Sequence, residues 1–203
     1  MSMLRSSRPW LGLALGLLLQ AAQGHGVDMP TVPVPPQLAV RGALAPDPDL
    51  PDLRFGDIFR TPVGPLGLVP GERLLALAGQ RVRMVGYSAR WRDAPPGLMI
   101  LSPLPVALGG EDESFADDLP ASAVHVHLSG PAAQRVLPAF QGLMVLTGHL
   151  QVGRVAESDG RNSHVRLLLD EPTSNALAQA QHPFGGAVRA PGTTLVSNPG
   201  DRP

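Results

Sequence analysis

The chain has 203 residues, 16 basic and 17 acidic, and a net charge of −1 with histidine neutral; it holds 23 glycines, 23 prolines and no cysteine. The missing cysteine excludes a disulfide framework and a lipid-modified cysteine. The near-neutral, slightly acidic balance argues against a nucleic-acid partner, whose phosphates demand a basic surface.

The first residues carry Arg5 and Arg8 and no acid, followed by an apolar run from Trp10 to Ala22 that breaks at Gln23-Gly24-His25-Gly26. A spanning helix needs about 20 apolar residues, so this run reads as the charged and apolar parts of a cleavable signal peptide. Small residues at Ala22 and Gly24 place the cut before His25, with the bond after Ala22 as second choice. The leader is therefore residues 1–24, and the product is expected in the periplasm or outside the cell, with no transmembrane anchor after cleavage. Loss of Arg5 and Arg8 leaves 14 basic against 17 acidic residues, a net charge of −3.

Residues 25–72 form a proline-rich linker or strap, as in Pro33-Val34-Pro35-Pro36 and Pro46-Asp47-Pro48. Proline lacks the amide donor and fixes its own φ, so extended backbone is expected rather than helix or central strand. Leu53, Phe55, Ile58 and Phe59 are the apolar exception, able to dock on a core. Residues 172–203 hold few large hydrophobes and are expected to be a disordered tail.

Residues 73–171 are the segment able to fold alone. Arg81 to Ala89 alternates as a first strand; Leu98 to Leu101, closed by Pro103 and Pro105, is a short buried second; Ala123 to Leu128 alternates strictly as a third. Pro131 to Leu137, bounded by Pro138, carries the punctuation of a two-turn helix. Leu143 to Val152 and Ser163 to Asp170 make two further strands, joined through the turn residues Glu157-Ser158-Asp159-Gly160. Three strands, a short helix and two strands is the element order of a mainly β, five-stranded OB-like barrel, with a β-sandwich as the alternative.

Gly79-Gln80-Arg81-Val82-Arg83-Met84-Val85-Gly86-Tyr87, Leu101-Ser102-Pro103-Leu104-Pro105, Gly142-Leu143-Met144-Val145-Leu146-Thr147-Gly148 and Val165-Arg166-Leu167 together resemble a family of uncharacterised exported bacterial proteins with an OB-like domain. The resemblance covers about half the chain. Members of that family are often encoded beside ABC-transporter genes, which implies an accessory or binding role with an inner-membrane ABC transporter as partner. Where better-known members carry a cysteine- and histidine-containing stretch and a proline run, this chain has Val124-His125-Val126-His127-Leu128-Ser129, so a ligand of that stretch does not transfer.

No Gly-x-Ser-x-Gly elbow, phosphate loop or His-Glu-x-x-His helix occurs, and the chain reads as a non-enzymatic binding protein. The acidic run Glu111-Asp112-Glu113 and Asp117-Asp118 lacks calcium-loop spacing and reads as a solvated loop. Arg81, Arg83, Arg90 and Arg92 form a basic patch with too few aromatics for nucleic acid, and are expected to pair with that loop. Two metal readings stand beside these. In one, His125, His127, His149 and His164 sit on polar strand faces and form a zinc or copper site. In the other, from the enzyme class, a terminal His25 chelates copper through its amine and imidazole.

Overall fold

The computed structural model describes residues 30–108 and 119–180. The proposed leader with His25, the acidic run Glu111–Asp118 and the chain from 181 onward lie outside the described residues. No helix among those described is long and apolar enough to cross a membrane.

Among the described residues, seven strands and two α-helices run in the order β1 (Thr31–Pro33), α1 (Glu72–Ala76), β2 (Arg81–Ser88), β3 (Leu98–Ser102), β4 (Val124–His127), β5 (Ala139–Gln141), β6 (Leu143–Ala156), β7 (Asn162–Leu169) and α2 (Glu171–Ala178). Five of them close on one another in the order β2-β3-β4-β7-β6, with β6 returning to pair with β2. Within this cycle every pairing is antiparallel except β4 with β7, where His125 lies opposite Arg166; outside it, β1 and β5 pair in parallel. That cycle, with one parallel contact between its third and fifth strands, is the OB-like barrel expected from the element order.

Alternation in the strands puts Val82, Met84, Val124, Val126, Met144, Leu146, Leu150, Val165 and Leu167 into one core. Period-two patterning fills the barrel because successive side chains point to opposite faces. Gly148 is required by close approach: a Cβ there would meet the Leu168 carbonyl oxygen at 2.3 Å. The expected two-turn helix after β4 is instead a single 3₁₀ segment, Gly130–Gln134, whose successor Arg135 is already extended. Pro131 starts the turn, but Pro138, just beyond, disfavours helical backbone in the residue before it.

The proline-rich segment is a strap that completes the barrel. β2 meets β3 only at Tyr87 and Ser88, so its first half has an open edge. Leu53 donates its N–H to the Arg83 carbonyl and Arg83 donates to the Pro51 carbonyl, covering that edge. The free start of β6 is covered in the same way, Val145 donating to the Leu38 carbonyl and Val40 to the Leu143 carbonyl. Proline tolerates such edge positions because its missing donor can face away from the ladder. Val32, Val34, Leu38, Leu53 and Ile58 join the core, and the Phe55 ring lies against Gly86, where a Cβ would sit 2.9 Å from it.

The boundary expected at residue 172 is corrected. Residues 171–178 form α2, with Thr173, Ser174, Ala176 and Leu177 buried. Pro172 at the first turn suits a helix start, and Leu177 is the anchor the composition concealed. Ser174 Oγ accepts the Ser129 N–H at 2.9 Å, and the Thr147 and Thr173 hydroxyls meet at 3.0 Å.

Candidate binding face

β4 sends Val124 and Val126 inward, leaving His125 and His127 on the outer face, where Ile100 and Leu98 of β3 are their register partners. Outward is not exposed here. His125 is only 7% accessible, and the covering comes from the turn joining β6 to β7. β6 shifts register between Val152 and Val155, with Gly153 at φ 135°, and this irregularity re-aims the hairpin tip. A straight continuation of β7, which runs parallel to β4, would carry residues 157–161 past the start of β4. Instead Asp159 and Glu157 reach back to His125 and His127.

The contacts form two pairs. His127 Nε2 lies 3.2 Å from Glu157 Oε2, and His125 Nε2 lies 3.9 Å from Asp159 Oδ2. Both carboxylates are 4% exposed. Each is held from behind through its other oxygen. Ser163 donates its hydroxyl to Glu157 Oε1, and the Arg161 N–H donates to Asp159 Oδ1 at 2.9 Å. The Arg161 guanidinium reaches Asp159 Oδ2 at 3.4 Å and stacks 5.3 Å from the Trp91 ring in the loop between β2 and β3, a cation–π contact that joins the two loops. Burial pushes the His125 imidazole pKa below its ordinary value, against the opposing pull of Asp159 and Glu157.

His125 Nε2, His127 Nε2 and Arg166 Nε are buried atoms with no hydrogen-bond partner. His125 and Arg166 are register partners, and His127 follows two residues on along the same face. A buried polar atom without a hydrogen bond costs about 1–3 kcal/mol, and His125 Nε2 and His127 Nε2 offset part of that by facing Asp159 and Glu157 as ion pairs.

The four-histidine site expected from strand alternation does not assemble as such. His149 lies opposite Leu168 on β7 and opposite Arg81 on β2, its Nδ1 4.0 Å from Asp170 Oδ1, with most of its side chain in solvent. His127 also pairs with Leu168, so two strand spacings, roughly 10 Å, separate His127 from His149. His164 is exposed and sits two residues along β7 from Arg166, the register partner of His125, so its backbone is a diagonal neighbour of His125 at about 8 Å and lies farther from His127. His125 and His127 are brought together; His149 and His164 are not. Glu157 and Asp159, which read in the sequence only as turn formers, are the acids that meet the histidines.

Two arginines of the expected patch, Arg81 and Arg83, have partners among the described residues, while the acidic loop expected to pair with the patch lies outside them. Arg81 binds Asp170 at 2.6 Å, and Arg83 binds Asp52 of the strap at 2.6 Å. The Arg83 hydrogen bond holds the Asp52 carboxyl below its usual value.

No family model matches the sequence, and no curated protein matches it. Among solved structures, a DUF3299 family protein from Pseudomonas aeruginosa PAO1 is similar at a TM-score of 0.36 and 11% identity, over 60% of this chain and 93% of that one.

Proposed function

We propose that the protein is an exported, non-enzymatic binding or accessory module whose working surface is formed by the loops 89–97 and 157–161, which lie over the buried outer face of β3 and β4. OB-like barrels take their ligands on the face of the second and third strands, flanked by these two loops. The observation that carries the reading is the gathering on that face of buried nitrogens that make no hydrogen bond, His125 Nε2 and His127 Nε2 facing carboxylates and Arg166 Nε beside them. The leader-like sequence of residues 1–24 supports export to the periplasm, and the family resemblance supports an inner-membrane ABC transporter as the partner to be served.

Site-directed photo-crosslinking in intact cells tests this. A photoreactive residue replacing Arg92 or Ser158, both exposed in the flanking loops, is expected to yield a ligand or transport-component adduct. The same residue replacing Glu72, exposed on α1, is expected to yield none. Absence of any adduct at positions 92 and 158, or an equal adduct at position 72, would overturn the proposal.

A further inference from the structure

We infer that this face holds a divalent transition-metal site of the zinc class, with His127 and Glu157 as one half and His125 and Asp159 as the other. The inference rests on the reading of the β3–β4 face as the binding surface and names its ligand.

The distances suit the chemistry. Zinc binds histidine nitrogen and carboxylate oxygen at about 2.0–2.2 Å, so two ligands of a tetrahedral ion stand about 3.3 Å apart. His127 Nε2 and Glu157 Oε2 are 3.2 Å apart yet do not meet in hydrogen-bond geometry, the relation expected of two donors aimed at a common ion. His125 Nε2 and Asp159 Oδ2, at 3.9 Å, stand about 0.6 Å wider than that spacing. Among the described residues no three such donors already surround one point, so the ion would draw two prepared pairs together.

The supporting hydrogen bonds make the pairs more than a chance acidic turn. Each carboxylate has one oxygen fixed by the protein, Glu157 by the Ser163 hydroxyl and Asp159 by the Arg161 N–H, and turns its other oxygen to a histidine. Metal-ligating carboxylates are oriented by such outer partners. His125 supplies an independent sign, since its side chain is 9% exposed and its Nε2 faces Asp159 without a hydrogen-bond partner. Two carboxylates offset the charge of a divalent ion, which must outweigh the added positive charge of Arg161 on Asp159 and of Arg166 beside His125. The Arg161 guanidinium now stands against Asp159 Oδ2, and an arriving ion would take over that oxygen while Oδ1 keeps its backbone donor.

Calorimetric titration of the purified full chain with zinc tests the site, alongside the visible absorption of the cobalt-loaded protein. The expected result is one equivalent bound, with the strong absorption bands of four-coordinate cobalt. Glu157→Gln and the His125→Ala/His127→Ala double variant are expected to abolish binding. Ser163→Ala, which removes only the outer hydroxyl, is expected to weaken it about 10- to 100-fold. His149→Ala and His164→Ala are expected to leave it unchanged. Thermal melts without metal show whether each variant folds; should the double histidine variant fail, Glu157→Gln and Ser163→Ala carry the test. No one-to-one binding by the parent, binding that survives in folded Glu157→Gln, or binding that depends on His149 or His164 would overturn the inference. If crosslinking at positions 92 and 158 persists while zinc fails to bind, the metal assignment alone falls and the binding face stands.

Discussion

His125 and His149 both point outward from their strands, His125 between the inward Val124 and Val126 and His149 between Gly148 and the inward Leu150, yet one is nearly sealed and the other lies mostly in solvent. Strand alternation decides which way a side chain points, and only the next layer decides what it meets. Over β4 that layer is the β6–β7 tip, which brings two carboxylates and an arginine; His149 has only the carboxylate of Asp170 and, beside it in register, Arg81. The same residue type is therefore a buried site component in one place and an ordinary surface group in the other.

The comparison breaks most sharply if the hairpin is moved. Gly148→Ala puts a methyl against the Leu168 carbonyl and should force β6 and β7 apart. The expected loss is about 1–3 kcal/mol, a fall of several degrees in Tm by calorimetry, with the cover over His125 loosened. Ser163→Ala acts at the tip itself, leaving a buried Glu157 oxygen without its donor. A denaturant titration should register a loss of about 1–3 kcal/mol, and an unchanged midpoint would show that the tip is not clamped there.

On the exposed side the effects shrink. Burial raises the Asp170 carboxyl, but the hydrogen bonds of Arg81 and Thr147 outweigh it and leave its pKa below the ordinary value. A carboxyl depressed in the folded state stabilises above its unfolded value near 3.8 and loses that contribution as pH falls through the lower folded value. Because Arg81 is half exposed, Asp170→Asn should cost no more than about 1 kcal/mol at neutral pH. Melts of parent and variant are expected to converge as pH falls through the depressed folded value; a constant gap would contradict the pairing. The smallest effects are expected from His149→Ala and His164→Ala, each within about 0.5 kcal/mol by the same melts.

The barrel was legible because its five strands alternate or run apolar between clear turn signals, and the alternation that puts His125 and His127 on the polar face of β4 turns Val124 and Val126 into the core. The β6–β7 tip was not, since Glu157-Ser158-Asp159-Gly160 satisfies turn chemistry so well that no further role was visible. Its side chains gain their meaning from a register shift at Val152–Val155, a non-local property of two paired strands. α2 was missed for a related reason. Its buried face includes the small Ala176 together with Thr173 and Ser174, whose fitness for a core depends on the partners that β6 and Ser129 supply. The strap lay between: its proline spacing shows extended backbone, but the open edges of β2 and β6 that it covers exist only once the barrel has closed.

The central claim, that the hairpin tip seals one histidine pair and leaves the other histidines in water, is tested most directly by residue-resolved hydrogen–deuterium exchange at the histidine C2 positions. The account predicts slow exchange at His125, intermediate exchange at His127 and fast exchange at His149 and His164, with His125 accelerating in Gly148→Ala. Exchange at His125 as fast as at His164 in the parent protein would contradict it.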